Sequence, residues 1–248
     1  MVDPFVDVQI YFTDLCYVIS VLLNLLLVVV VFWCKNTLGN FKRFFYVFAV
    51  LDVTYSFAVT TLVPMYYADS TILALFPTSR WAADYVFMEV SLNLWYAMFI
   101  LIMLAVNAMF VYRYALLCDL ELLSFFTKRL KFAAVIIGAL FITTMWIAIA
   151  NVMVRTLPES RSKLDAKLGS TYGIDFRTNY FVGVDFDNVD YAVYGASTVS
   201  IFALIAVIAC STIYCGHRIH VTIIENIRNE SRRIHRKALK MIILQVLL

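Results

Sequence analysis

Five long stretches of almost unbroken apolar character divide the chain, at 10–33, 44–65, 86–117, 132–154 and 191–215. About 20 such residues in a helix cover the roughly 30 Å of hydrocarbon in a bilayer. Each stretch predicts a membrane-spanning helix, because lipid offers backbone groups no partner and a helix satisfies its own. The third is longer than a crossing needs, which predicts tilt or projection beyond the bilayer. A sixth apolar run, "ALKMIILQVLL", opens at 238 and reaches only position 248, about half a crossing. The expected architecture is an all-α membrane protein, a single transmembrane domain over 1–248 with five complete spans and the start of a sixth. Its longer connections are 155–190 and 216–237.

The polar residues inside these runs carry more information than the apolar ones. In "LNLWYAMFILIMLAVNAMFVYRYALL" (92–117) two asparagines interrupt the third span, and an arginine stands between tyrosines near its end. Amide and ionisable groups in a span are costly unless they face protein or water, so their helical phase marks inner faces. Thr13, Tyr17, Ser20 and Asn24 step along one face of the first span, and Asp52 and Ser56 share a face of the second. Glu89, Asn93, Tyr96, Ile100, Met103 and Asn107 form one stripe of the third. Asn24, Asp52 and Asn107 all lie roughly 12–15 Å from the same end of their helices at 1.5 Å per residue. They are expected to meet as a buried polar cluster, either gluing helices together or repacking between two states. Glu89, Asn93 and Tyr96 lie in the other half, where a few polar groups in an apolar cavity suit a small-molecule site; anchoring of the helix end is the competing reading. Tyr112, Arg113 and Tyr114 read either as an interfacial anchor or as a contact for a cytosolic partner.

Charge orients the bundle. Lys35, Lys42 and Arg43 lie in the first connection, and Lys128, Arg129 and Lys131 in the third. Arg218, Arg228, Arg232, Arg233, Arg236 and Lys237 lie in the fifth. The second has Arg80 against Asp69 and Asp84, and the fourth mixes basic residues with Glu159, Asp165, Asp175, Asp185, Asp187 and Asp190. By the positive-inside rule the odd connections, 216–237 among them, are expected in the cytoplasm, and the N-terminus and 155–190 outside. With 63% hydrophobic and 15% charged residues, the composition is that of a membrane protein rather than a soluble domain. Cys16, Cys34, Cys118, Cys210 and Cys215 match no metal or redox spacing. His217 and His220 lack the further ligands of a zinc site and read as solvated. With no nucleophile–base pair and no phosphate-binding loop, no enzymatic activity, cofactor, metal or nucleic-acid partner is expected.

Three stretches together resemble a known family: "NLLLVVVVFWCKNTLGNFKRFFYVFAVLDVTYSF" (24–57), "FVYRYALL" (110–117) and "HRKALKMIILQVLL" (235–248). They are similar to nematode serpentine chemoreceptors of the Str superfamily (Str or Srj-like), as is the acidic segment "YGIDFRTNYFVGVDFDN" (172–188). The resemblance implies a seven-helix G-protein-coupled receptor fold and a chemosensory, olfactory role. It implies a small-molecule odorant as ligand outside and a heterotrimeric G protein as partner inside, in the plasma membrane, including that of sensory cilia. By analogy with rhodopsin-like receptors Arg113 would face the G protein between helices three, five and six, and Asn24 and Asp52 would match a buried pair of helices one and two. Two features depart from that analogy. Tyr112 stands where an acid would pair with the arginine, and no cysteine lies at the outer end of span three or in 155–190. The chain also stops in helix six, so a C-terminally truncated receptor is expected, one unable to signal without helix seven. The competing readings are a transporter or channel subunit with polar-lined helices and a degenerate, non-signalling receptor paralogue.

Overall fold

The computed structural model describes residues 4–33, 41–79, 84–154, 158–169, 178–225 and 240. The expected sixth span, Arg80, Cys34 and the basic stretch 226–237 lie outside the described residues, position 240 excepted. Among these described residues seven α-helices and three strands follow in order: α1 (Pro4–Trp33), α2 (Lys42–Leu62), β1 (Pro64–Ala68), β2 (Ile72–Pro77), α3 (Tyr85–Cys118), α4 (Leu120–Thr127), α5 (Arg129–Met153), α6 (Pro158–Leu164) with a π-helical turn (Asp165–Gly169), β3 (Val182–Asp185) and α7 (Tyr191–Glu225). Five of the helices, α1, α2, α3, α5 and α7, are long and apolar enough to cross a membrane. Their outward faces carry exposed Leu22, Leu26, Phe141, Phe202 and Ile213, surfaces that acyl chains cover in a bilayer. The chain is a multi-pass membrane protein.

Aspartates set several of the boundaries. Asp84 caps α3 by accepting from the Phe87 N–H at 3.0 Å, and Asp119 caps α4 by accepting from the Glu121 and Leu122 N–H groups. Asp190 accepts from the Ala192 and Val193 N–H groups at the start of α7. Each satisfies donors that a helix cannot satisfy itself.

The second span ends earlier than its hydropathy suggests. Apolar character runs on to Met65, but α2 stops at Leu62 and Val63 takes a left-handed conformation with φ of 42°. Pro64 follows, and a proline disfavours the α-helical region for the residue before it. The chain then turns into the β1–β2 hairpin, in antiparallel register from Pro64 opposite Pro77 to Ala68 opposite Leu73. Asp69 closes the turn, its Oδ1 accepting from the N–H groups of Thr71 and Ile72 at 2.7 and 2.8 Å. β3 joins the other edge of β2, with Ile72 opposite Asp185 and Leu75 opposite Val182. Gly183 sits at that pairing because a Cβ there would fall 2.6 Å from the Leu73 carbonyl oxygen.

This sheet is sandwiched. Ile72, Ala74 and Phe76 of β2 pack with Leu164 of α6 and with Phe181. Leu75 points the other way, into a cluster of Leu62, Met88, Leu92, Tyr180 and Val182 at the end of α2 and α3. The period-2 alternation of a strand thus joins a polar-surfaced cap to a lipid-embedded bundle. Within the bundle α3 is central and packs against α2, α5 and α7, while α1 rests on α2. Past Cys215, α7 continues ten residues to Glu225, as the isoleucine spacing after 216 suggests. His217 and His220 are exposed on this helical extension rather than in a loop.

Candidate functional site

The polar groups of the spans fall into three layers along α3. At the capped end, Asn93 donates to the Glu89 backbone carbonyl one turn earlier, at 2.9 Å. Its own side-chain carbonyl accepts from Asn151 Nδ2 of α5 at 2.7 Å. Tyr96 packs beneath Tyr180 in the cluster under the sheet and also touches the next cluster down, around Ile100, Trp146 and Ile208. Glu89 is exposed at the rim. Burial raises the Tyr180 phenol well above its ordinary pKa, with the nearby Tyr85 and Glu89 adding to the rise. Tyr180 therefore stays neutral well into the basic range.

In the middle layer the structure joins α1 to α2. Asn24 Nδ2 donates to Asp52 Oδ2 at 2.5 Å, and Ser20 Oγ donates to the same oxygen at 3.1 Å. Ser56 Oγ donates to Ser20 Oγ at 2.9 Å, and the rings of Tyr17 and Phe57 meet one turn away. The face read from Thr13, Tyr17, Ser20 and Asn24 is thus the face that packs on α2. Asn107, expected in the same cluster, makes its hydrogen bonds on another seam. It donates to the Ile208 carbonyl of α7 at 3.0 Å and accepts from Ser211 Oγ at 3.3 Å. Equal depth brings polar groups to one level; which helix each one faces is decided by rotation about the axis.

The third layer lies at the end opposite the cap. Tyr112 is buried among Phe41, Phe44 and Phe126, with ring centroids 5.2–6.0 Å away. The Arg113 guanidinium carbon stands 4.2 Å from the centroid of the Phe41 ring, a cation–π contact. Its Nε is buried and has no hydrogen-bond partner among the described residues. Tyr114 turns toward α7, its ring 6.1 Å from that of Tyr214. The triplet therefore divides, with Arg113 seated against the start of α2. The expected cavity between helices three, five and six includes a helix outside the described residues.

Outside the spans, ion pairs fasten the cap. Lys163 Nζ donates to both oxygens of Asp185, at 3.0 and 2.9 Å, and to Asp187 Oδ2 at 2.8 Å. Lys167 pairs with Asp69 at the hairpin turn and donates to Thr71 Oγ1 at 2.9 Å. Lys167 chiefly, with the Thr71 N–H, holds the Asp69 carboxyl far below its ordinary pKa. For Asp185, burial pushes upward but Lys163, Asn188 and the Asp187 N–H together prevail, so its pKa is also lowered.

Several partners were not singled out from the sequence. Asn151 left a signal, a lone amide in the run "IAIANVMV". Phe41 left none, because one phenylalanine among four aromatics in "FKRFFY" has no distinguishing feature. Among the described residues no group of three or more His, Cys, Asp or Glu is placed to hold a metal ion.

The family model described as serpentine type 7TM GPCR chemoreceptor Str matches residues 9–248. No curated protein and no solved structure matches the chain. The family match begins inside α1 and runs through every spanning helix and the cap between them, and on that ground the chain belongs to the Str family of serpentine seven-transmembrane chemoreceptors.

Proposed function

We propose that this chemoreceptor takes a small molecule from the capped, extracellular end and couples to a heterotrimeric G protein at the opposite, cytoplasmic end of the plasma membrane. Glu89, Asn93 and Tyr96 would contribute to the ligand site. Asn24, Asp52 and Asn107 would form the polar seams that repack, and Tyr112, Arg113 and Tyr114 the coupling end. An olfactory role in a sensory cilium fits this reading.

The observation that carries it is the bonding of the central helix. Asn93 ties α3 to α5 beneath the cap, and Asn107 ties the same helix to α7 about 21 Å further on, at 1.5 Å per residue. A ligand that displaces Asn151 from Asn93 biases the packing of α3, and the second tie conveys that bias toward the Arg113 end. Such a ligand shifts the balance of states only by its differential affinity for them.

The test is expression of this chain, joined in frame to the sixth and seventh spans of a family relative, in cells with a promiscuous G protein and a calcium reporter, challenged with a panel of neutral and charged small molecules. A subset of compounds is expected to give saturable responses. Asn93→Leu should weaken potency about tenfold, the loss of a hydrogen bond worth about 1.4 kcal/mol. Arg113→Ala should lower the maximal response at unchanged surface expression. Unchanged potency in Asn93→Leu would remove the ligand site from this layer, and an unchanged maximum in Arg113→Ala would leave the arginine as an anchor. Labelling of an N-terminal tag only after permeabilisation would reverse the orientation.

A further inference from the structure

A cleft of about 550 Å³ lies at the end opposite the cap, where α3 gives way to α4 and α5; its walls include Glu121, Leu122, Phe125, Lys128 and Lys131. The short helix α4 has two working faces. Leu123 and Phe126 pack against the aromatic cluster around Tyr112. Leu122 and Phe125 face the cleft instead.

Its two lysines share the wall with two carboxylates, Asp119 and Glu121, yet among the described residues pair with neither. Lys131 Nζ donates to Ser124 Oγ at 2.7 Å and stands 4.5 Å from the centroid of the Phe125 ring. Among the described residues Lys128, Arg129 and Lys131 form no ion pair; every ion pair there belongs to the cap. Asp119, also on the wall, already accepts from two backbone N–H groups through its Oδ1. The apolar groups beside the lysines are just as unusual. Leu130 is 85% exposed, and Phe125 and Phe132 are each 42% exposed. Leu130 and Phe132 stand where α5 starts its crossing, a level at which acyl chains cover apolar side chains, and Phe125 lies one turn before it on α4.

We infer that this cleft binds the headgroup of an anionic phospholipid, with Lys128 and Lys131 holding the phosphate and Phe125, Leu130 and Phe132 lying along the acyl chains. The choice of a lipid over a soluble acidic partner rests on the adjacency of the two chemistries. Basic groups next to an apolar surface at the level of the membrane interface match an amphiphile with an anionic head and a hydrocarbon body. Lys131 is preset for this role, since Ser124 and Phe125 position its ammonium without neutralising it. A bound lipid would brace α4, which in turn backs the cluster holding Tyr112. This assignment concerns a site separate from the proposed ligand layer and stands or falls without it.

The chain reconstituted in lipid nanodiscs of phosphatidylcholine doped with either fluorescent phosphatidylserine or fluorescent phosphatidylcholine provides the test. Energy transfer from a dye on an engineered cysteine in α4 reports local enrichment. Phosphatidylserine is expected to be enriched and phosphatidylcholine not. A Lys128→Gln/Lys131→Gln variant should lose roughly thirtyfold in apparent affinity, at about fivefold per basic group near an anionic surface. Lys131→Arg should retain most of the binding, which separates loss of charge from loss of fold. Equal enrichment of both lipids, or an unchanged affinity in the double variant, would overturn the assignment. Displacement by soluble glycerophosphoserine as readily as by the intact lipid would assign the cleft to a free phosphate and overturn the lipid. Selectivity that appears only when a purified G protein is added would reassign it to that protein.

Discussion

The two ends of the bundle are sealed by opposite chemistries. The capped end is closed by a three-stranded sheet and α6, held together by Lys163 and Lys167 against Asp185, Asp187 and Asp69. The other end is closed by rings: Phe41, Phe44, Phe45, Tyr112 and Phe126, with the Arg113 guanidinium laid over Phe41. At the capped end Lys163 and Lys167 are paired with carboxylates, while Arg161 lies over the Phe181 ring; at the other end, among the described residues, Arg113 and Lys131 lie on aromatic faces and no cation forms an ion pair. The difference follows from what surrounds each end. The cap projects from the membrane into water, where a sheet needs its own core and a polar exterior. The aromatic end lies at the interface, where amphipathic rings and long basic side chains are at home.

Truncating a ring on each side should give the sharpest contrast. Phe181 is fully buried within the cap core, and Phe181→Ala should cost about 3–5 kcal/mol of cap stability. Phe45 is 1% exposed in the aromatic cluster, but lipid replaces water as the alternative environment there. Phe45→Ala should therefore cost less, by a transfer contribution of about 1.5–3 kcal/mol. Denaturant titrations followed by cysteine accessibility at each end measure both, and equal costs would erase the proposed difference in environment.

Acidity and base should next separate the ends. The folded-state pKa values of Asp69 and Asp185 are lowered, so their contribution is present above the unfolded carboxyl pKa of about 4 and is lost as pH falls through the folded values. Lys167 and Lys163 are raised, chiefly by hydrogen bonds to Asp69 and Asp187 respectively. Their contribution is present below about pH 10.4 and is lost as pH rises through the folded values. Limited proteolysis within 158–169 and 178–188 should therefore be slow between about pH 4 and 10 and accelerate outside that window. Cleavage within the aromatic end should stay flat over the same range. Lys163→Met should raise cleavage of the cap at neutral pH, and a variant cut no faster than the parent would show that the ion pairs are decorative.

The smallest effect is expected midway between the ends. A double-mutant cycle on Asn24→Ala and Asp52→Asn should return a coupling of about 0.6 kcal/mol and no more than about 1.7, the range for hydrogen bonds between membrane helices. A value several times larger would mean that the seam is more desolvated than the bundle geometry implies.

Much of this was legible in the residues. Hydropathy placed the five spanning helices, since apolar runs this long and unbroken satisfy their backbone in hydrocarbon as helices rather than as the short alternating strands of a barrel. Helical phase found the α1 face that packs on α2, because polar groups cannot be left toward lipid at no cost. The hairpin was hidden within an apolar run whose periodicity does not separate a buried strand from a helix. Its signs were nonetheless there: Pro64 after the last helical turns, and Asp69-Ser70 between two short apolar segments.

What the sequence by itself determined is therefore local and set by the solvent: which segments cross and which residues must turn inward. What only the tertiary structure decided is pairing. Asn93 meets Asn151, Asn107 meets Ile208 and Ser211 rather than Asp52, and Arg113 meets Phe41. Depth along a helix can be counted from its 1.5 Å rise, but azimuth depends on how all the helices pack at once. A rotation of one residue, about 100°, gives every inward side chain a different neighbour while leaving the apolar pattern unchanged.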